Sequence, residues 1–599
     1  MPARLKHGPR ATRWWALAGF LAVAFVLTSP VWRDPSHDWA GVTGDPELFM
    51  GYFGWFPFAM THGINPLLDT YVNVPQGANL MWNTSVPAAA LALWPVTALF
   101  GVIASYNLAL VVALALDGWC TFLWLRRHVH HAAAAWLAGL MMVLGPFAST
   151  QAVGHLHVVM FFPVPLMLIA LERVATEPGH RRLRWGLAIG ALAALQLLLS
   201  EEILALLAVV VVTASIVLWF SSPSVVREQV QVLGALRTLL IALCVFVVLA
   251  GAPLAYQLFG PERVSGLLQQ PDVFVTDLLN LVIPNQFAAL HLPSGLNLTS
   301  QWSGNQSEAD AYIGLPLIAV TVYVLRRWWS DGWTRMVGVG AVVALVWSLG
   351  PHVHIGGKVS EVVPLPGVLL TYVPGLSSLV PARFALFMDL GLAGLLACFL
   401  DRMCFSGAGW ARLGAIGGAL LVAATLAPSM PLPVTSSDTP AFFQPGGGAR
   451  ELPAETVALV VPYTDRGPTG AWDPGGEDPT LWQAESDFAF RTVSGAVFTP
   501  GTGQYAEWGR SDGVLGCVMA YLQAGASASP CGPGAVEGAR EQMDDLGVTI
   551  VILGPLDQGS NPSLEGPIRE FLTEVVGGPP RSLQGVLVWE YGGPAGAPG

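Results

Sequence analysis

The sequence predicts an α-helical polytopic membrane protein of about eleven spans, with an α/β domain at its C-terminal end on the outer side. Three observations carry this prediction. Of 599 residues, 53% are apolar and only 11% charged, against about 25% charged in an ordinary soluble domain. Apolar runs long enough to cross a bilayer recur along the first 430 residues. From residue 430 the composition changes: residues 430–599 hold seven Arg, no Lys and 20 acids, a net charge of −13, while residues 1–429 carry +1. A plain soluble enzyme is excluded. The overall charge of −12 also has the wrong sign for a general nucleic-acid binder, so the first partner is the membrane bilayer.

The apolar runs cover residues 14–32, 105–125, 132–150, 158–172, 185–199, 203–220, 238–257, 311–325, 336–349, 384–400 and 413–429. A further stretch, 85–103, is interrupted by Pro87 and Pro95 and ends at Gly101. If it does not cross, 17 of the 21 basic residues before position 430 fall on cytoplasmic segments, and only Arg33, Arg263, Lys358 and Arg383 face outward. That is the asymmetry expected when basic loops resist translocation. If it crosses, the count becomes 7 inside and 14 outside, so the stretch is read as re-entrant or interfacial.

The basic N-terminal segment precedes a long apolar run with no convincing cleavage site, which predicts an uncleaved anchor with a cytoplasmic N terminus in the cell membrane. Residues 1–429 then form a transmembrane module whose loops 33–104, 258–310 and 350–383 face outward, as does the acidic domain 430–599. That domain follows a linker marked by Pro428, Pro431 and Pro433. Residues 457–461 (VALVV) and 548–553 (VTIVIL) predict short buried strands, and 537–546 a helix closed by Gly547.

Cys120, Cys244, Cys398 and Cys404 lie in or beside apolar runs, whereas Cys517 and Cys531 lie in the tail. The tail pair is compatible with a bridge in an oxidising compartment or with two buried free thiols. The tail has no His, so neither a Ser-His-Asp order nor a metal motif is present there. Trp472, Trp482, Tyr505 and Trp508, interspersed with Asp473, Glu477, Asp478, Glu485 and Asp487, offer either a sugar-stacking surface or an aromatic core under an acidic, solvated face. Sequons at Asn83, Asn297 and Asn305 fall outside on this topology.

The first outer loop concentrates acids: Asp34, Asp38, Asp45, Glu47 and Asp69 accompany a single basic residue, Arg33. Asp45 and Glu47 open GDPELFMGYFGWFPFAMTHG, where Pro46 suits the first helical position and Asp45 the cap. Phe49, Phe53, Phe56 and Met60 recur at three-to-four spacing, which predicts an amphipathic helix on the outer interface. Asp45 is then either an N-cap or a carboxylate able to take a proton from an acceptor hydroxyl at the membrane boundary.

The order of a first helix, an acidic outer loop, an interfacial helix, a re-entrant stretch, a helix ending in Arg126-Arg127, many further helices and an outer C-terminal domain resembles the type C glycosyltransferase superfamily. It is similar to protein O-mannosyltransferases and lipid A aminoarabinose transferases. GDPELF, NPLLDTYVNVPQGANLMWNTSVP and GHLHVVMFFP resemble bacterial predicted membrane glycosyltransferases of unassigned substrate. The architectural likeness covers roughly residues 10–430 and the motif likeness residues 44–165. The resemblance implies an inverting transfer from a polyprenyl-phosphate-linked sugar, with Asp45 as base and Glu47 beside it. The loop departs from the mannosyl and aminoarabinose branches: no Lys-Pro-Pro follows the helix, and the chain reads Asn65-Pro66 and Asn73-Val74-Pro75-Gln76-Gly77.

Independently, no Walker A motif or GxGxxG after a strand supports a nucleotide-sugar site. Displacing a polyprenyl phosphate requires a cation or donors near the leaving phosphate, which makes Arg383, then Lys358 and Arg263, the candidates; Arg383 and Lys358 otherwise only flank the interface. His155 and His157 (GHLH), like His352 and His354 (PHVH), are predicted at outer helix ends, and His155 or His157 lines the pocket. Their spacing matches no usual zinc-helix pattern, so hydrogen bonding to sugar or phosphate is the functional reading and interface packing the alternative. A divalent metal is the one cofactor left open. The acceptor is an envelope polysaccharide, glycolipid or protein. Two rival readings remain: a proton-coupled transporter using the intramembrane Asp117 and Asp389, and an inert scaffold with an outer carbohydrate-binding domain.

Overall fold

The computed structural model describes residues 10–177, 179–221, 232–360, 362, 364–373, 375–463, 479–501, 503–510, 513–523, 525, 531–556 and 564–592. All eleven apolar runs fall on helical segments. Among the described residues, eight helices are long and apolar enough to cross a membrane. The chain is a multi-pass membrane protein with a sheet-containing C-terminal region. It divides into two compact units, each assembled from separate stretches of sequence.

The first unit comprises residues 1–32, 108–252 and 269–433. Its helices break where the sequence removes a donor or frees the backbone. Met141–Leu144 ends at Gly145, and Pro146 then opens Pro146–Gln151. Glycines set the close approaches. A Cβ on Gly391 would lie 2.7 Å from the Val337 carbonyl, one on Gly118 would lie 2.6 Å from Phe20 and Val143, and one on Gly190 would lie 2.3 Å from the Ala242 carbonyl. Small residues at such contacts let membrane helices pack backbone to backbone. Helix Ala385–Phe399 is buried along its whole length, Asp389 included, and Asp117 is likewise fully buried.

Two polar clusters also belong to this unit. Glu172 accepts from Arg127 Nε at 3.0 Å and Trp124 Nε1 at 2.9 Å. Asp401 accepts the backbone N–H groups of His130 at 3.0 Å and His131 at 2.8 Å.

The second unit comprises residues 33–107, 253–268 and 434–599. Its centre is a five-stranded mixed sheet. Val457–Val461 and Ile550–Leu553 run parallel, Ile550–Leu553 pairs antiparallel with Val586–Glu590, and Arg581–Leu583 and Arg491–Thr492 form the edges. Helices Gly513–Gln523, Ala535–Asp545 and Glu565–Val576 contribute to the core beneath it. Cys517 and Cys531 are bridged, which settles the alternative the sequence left open.

The tail is therefore not a unit by itself. It closes over the first outer loop: Asp38–Ala40 pairs with Val434–Ser436, and Asn83 Oδ1 accepts the Phe498 N–H at 2.5 Å. The 253–268 segment is stitched to both. Asn79 Nδ2 donates to the Pro261 carbonyl at 2.9 Å, Trp82 Nε1 to the Gln257 carbonyl at 2.8 Å, and the Leu267 N–H to the Gln504 carbonyl at 3.0 Å.

This packing corrects the expectation of an interfacial amphipathic helix. Asp45–Thr61 is buried on nearly all sides, including Phe49, Phe53 and Phe56, and only Met60 of the apolar stripe is exposed. Gly51 and Gly54 make the closure: a Cβ on Gly51 would lie 2.4 Å from Thr480 Cγ2, and one on Gly54 would lie 3.1 Å from Ala484. The tail helix Pro479–Glu485 thus lies where bilayer was expected.

The 85–103 stretch is helical and belongs to Pro87–Leu125, with Gly101 at φ 85° and ψ 175° breaking the helix. Thr97 Oγ1 and Ser105 Oγ lie 2.9 Å apart. Eight residues of straight helix would separate them by about 12 Å, so the two arms fold back on one another at this glycine.

Candidate functional site

The second unit holds the acidic motif. Helix Asp45–Thr61 has Gly44, at φ 110°, as its N-cap, with Asp45 and Pro46 in the first turn. The cap thus lies one residue earlier than expected, and Asp45 is helical. Glu47 reaches back to accept the Gly44 N–H, the reciprocal half of a capping box. Glu47 is fully buried and engaged in the cap, which gives it a structural task in place of the assisting role expected beside Asp45. Asp45 is half-buried in the first turn of the helix.

The same unit carries strained backbone. Thr84 (φ 47°) and Val86 (φ 45°) are β-branched residues in the left-handed region, and Asn73 and Glu262 also have positive φ. Such outliers cost of order 1–3 kcal/mol each and cluster where function over-determines the backbone. Glu262 turns the chain so that its neighbour Arg263 stands exposed. Arg510 is buried, donating to the Val74 carbonyl at 3.1 Å and to Gln76 Oε1 at 2.7 Å, which ties down the Asn73–Gly77 turn. Asp69 is buried and accepts the Tyr71 N–H at 2.8 Å; burial pushes its carboxyl up to about 7 despite the backbone donors that oppose the shift.

The first unit holds the other expected residues. Arg383 is buried, and its guanidinium is divided between two carboxylates: Nη2 meets Glu308 Oε1 at 2.6 Å, Nε meets the same oxygen at 3.2 Å, and Nη1 meets Glu202. His157 Nε2 lies 3.3 Å from Nη1, and His155 Nε2 lies 3.6 Å from Glu308. Gln151 Nε2 bridges to Glu308 at 3.2 Å and Asp310 at 2.8 Å, and Val380 N donates to Glu202 at 2.8 Å.

Burial raises the Glu308 carboxyl, but the Arg383 charge overrides it and holds the group below its ordinary range; Asp310, buried beside Glu308, is driven well above it. The donors of Arg383 expected to meet phosphate are turned onto protein carboxylates. His155 and His157 are buried partners of that network and not the lining of an open pocket. Lys358 is exposed on the hairpin Val353–Ile355 and Lys358–Ser360, whose Gly356 and Gly357 amides donate to Asp277.

Sequence reasoning missed Glu308, Asp310, Gln151 and Arg510 altogether. Trp482 lies in the core stacked on Phe443 at 5.0 Å, so it offers no sugar platform. Trp472, Asp473, Glu477 and Asp478 lie outside the described residues. Asn83 is buried with its side chain bonded to backbone, which excludes it as a glycan acceptor, while Asn297 and Asn305 are exposed. Among the described residues, no group of three or more His, Cys, Asp or Glu side chains is arranged to hold a metal ion.

A family model described as a domain of unknown function (DUF6311) matches residues 16–380. The chain belongs to this family. The matched region contains Asp45, Glu47, His155, His157, Arg263 and Lys358 and stops short of Arg383 and the tail. No curated protein matches the sequence.

Among solved structures, the chain is similar to the archaeal oligosaccharyltransferase AglB from Archaeoglobus fulgidus in complex with an inhibitory peptide and a dolichol-phosphate, at 13% identity and a TM-score of 0.44, over 90% of this chain and 69% of that one. It is also similar to the Archaeoglobus fulgidus oligosaccharyltransferase tethered to an acceptor peptide containing the NVT sequon, at 13% identity and 0.42, over 95% and 71%. With scores below one half and identities below one quarter, neither likeness bears on what this chain does.

Proposed function

We propose that this DUF6311 chain is a membrane glycosyltransferase that moves a sugar from a polyprenyl-phosphate-linked donor to an envelope acceptor on the outer side of the membrane. The reading rests on the motif order that resembles type C glycosyltransferases. The observation that supports it is the place of GDPELF: Asp45 stands half-buried in the first turn of Asp45–Thr61, in the unit that also holds the exposed Arg263. Asp45 takes the proton of an acceptor hydroxyl, the oxygen attacks the anomeric carbon with inversion, and the polyprenyl phosphate leaves with the bonding electrons.

Arg263 replaces Arg383 as the proposed contact for the leaving phosphate: it is exposed, presented by a strained turn, and part of the unit that holds Asp45. The Cys517–Cys531 bridge supports an oxidising, extracytoplasmic setting for that unit.

Proton-coupled transport is the second reading, favoured by the fully buried Asp117 and Asp389. One experiment separates the two. In proteoliposomes supplied with polyprenyl-phosphate sugar, Asp45→Asn abolishes transfer while the protein stays folded, and Asp117→Asn or Asp389→Asn leaves it active. Proton flux lost only in the latter two variants would establish the transporter instead.

A further inference from the structure

Two loop stretches of the first unit leave large apolar side chains uncovered just past the ends of apolar spans. The spans Pro381–Phe405 and Gly409–Leu426 are joined by only residues 406–408. Two crossings with so short a link must reverse direction, so Pro381 and Leu426 lie at the same membrane surface. Leu290 and Leu292, 58% and 71% exposed, follow directly on the contact that ties their loop to the second span, where the Ala289 N–H donates to the Ala427 carbonyl at 2.9 Å. Leu369 and Tyr372, 60% and 77% exposed, are held at the start of the first span. A Cβ on Gly350 would lie 3.7 Å from Pro381 Cβ, the Leu365 N–H donates to the Pro351 carbonyl at 2.8 Å, and a Cβ on Gly367 would collide with the Gly350 carbonyl. The helical turn Val368–Thr371 follows at once, which keeps the Cα atoms of Leu369 and Tyr372 within about 10 Å of that contact.

We infer that residues 289–292 and 368–373 seat in the headgroup boundary of the bilayer, so that these loops grip lipid and do not face water. Their chemistry fits that depth. No Asp, Glu, Lys or Arg occurs from residue 278 to 307 or from 362 to 382, where His291 and Tyr372 are the only titratable side chains. Charged groups are costly in the hydrocarbon, whereas a tyrosine ring suits the headgroup level, apolar at its body and polar at its tip. Continuity with the spans selects lipid as the occupant: Leu420 and Leu421 of the second span are exposed as well, so the membrane that covers them reaches the loop tied to that span's end. Exposed leucines clustered at a membrane surface mark such a contact, while single ones scattered over a water-facing surface need no partner. The inference stands apart from the glycosyltransferase reading, because it needs only that the two spans cross the membrane.

The test places an environment-sensitive thiol dye at Leu292→Cys, Leu369→Cys and Tyr372→Cys in the full-length protein, in a Cys244→Ser background and in phosphatidylcholine–phosphatidylglycerol vesicles. Leu420→Cys serves as the lipid reference and Arg581→Cys, on an exposed strand of the second unit, as the water reference. The dye at the three loop positions is expected to emit to the blue of the water reference and to be quenched at least threefold more by a lipid carrying a spin label near its headgroup than by aqueous iodide. Iodide quenching equal to that of Arg581→Cys would overturn the inference. Protection from both quenchers, with crosslinks between two chains through these positions, would assign the surface to a second copy and also overturn it. Wild type needs no substitution for the second measurement: photolysis of a phospholipid bearing a diazirine near its headgroup should give adducts on peptides spanning 289–292 and 368–373. Adducts on the spans with none on these peptides would contradict the seating in lipid.

Discussion

Arg383 in the first unit and Asp45 in the second are held in different ways. In the first, Arg383 is surrounded by Glu202, Glu308, His157 and, through Glu308, Gln151 and Asp310, all drawn together in the interior. In the second, Asp45 stands half-buried at a helix start whose cap is made by its neighbours. A buried charge with all its bonds made mainly specifies structure, because removing one partner strands the others. Asp45 and Arg383 looked alike in the sequence as outward-facing charges, but Arg383 is buried among carboxylates and Asp45 is half-buried in the first turn of a helix.

The largest effect that can break this contrast is on Arg383. Arg383→Ala leaves Glu202 and Glu308 buried without their cation and is expected to destabilise the protein by about 3–5 kcal/mol, read as a lower thermal midpoint in detergent. A folded, stable Arg383→Ala that has lost only transfer would return Arg383 to the phosphate.

Asp69 sharpens the comparison from the other side, as a buried acid that stays close to titration. Its folded value of about 7 lies above the ordinary value of 3.8, so its contribution to stability is complete below about pH 4 and is lost as pH rises from there through 7. At about 1.4 kcal/mol per unit, the span amounts to as much as ~4 kcal/mol. Asp69→Asn, which keeps an acceptor for the Tyr71 N–H, should flatten the fall in thermal midpoint between about pH 5 and pH 8. An unchanged slope would assign that pH dependence elsewhere.

Glu47 gives the smallest effect. Glu47→Gln retains an acceptor oxygen for the Gly44 N–H, so it should cost less than about 1 kcal/mol and leave transfer within a few-fold. A loss of transfer as deep as that of Asp45→Asn would make Glu47 part of the chemistry.

Helices were legible because apolar length is a property of contiguous sequence, and Gly101 and Pro146 mark their own breaks. Burial by distant partners was not. Glu308 and Glu202 lie 75 and 181 residues from Arg383, so nothing local marks the network. The Asp45–Thr61 helix shows why a stripe misleads: Phe49, Phe53 and Phe56 define an apolar face, but bilayer and protein satisfy it equally. Gly51 and Gly54 were the available signal, since small residues invite a close neighbour. Asp45 and Glu47 were found because two acids stand at a helix start in an otherwise apolar stretch; which of them caps is set by the Gly44 backbone, one residue beyond what capping preferences favour.

The central claim is that Asp45 takes the acceptor proton. The direct measurement is sugar transfer by Asp45→Asn and Asp45→Glu in proteoliposomes, alongside their thermal midpoints. Loss of transfer by at least a hundredfold in Asp45→Asn, partial recovery in Asp45→Glu and midpoints equal to wild type are the predicted results. Transfer retained in Asp45→Asn would contradict the assignment.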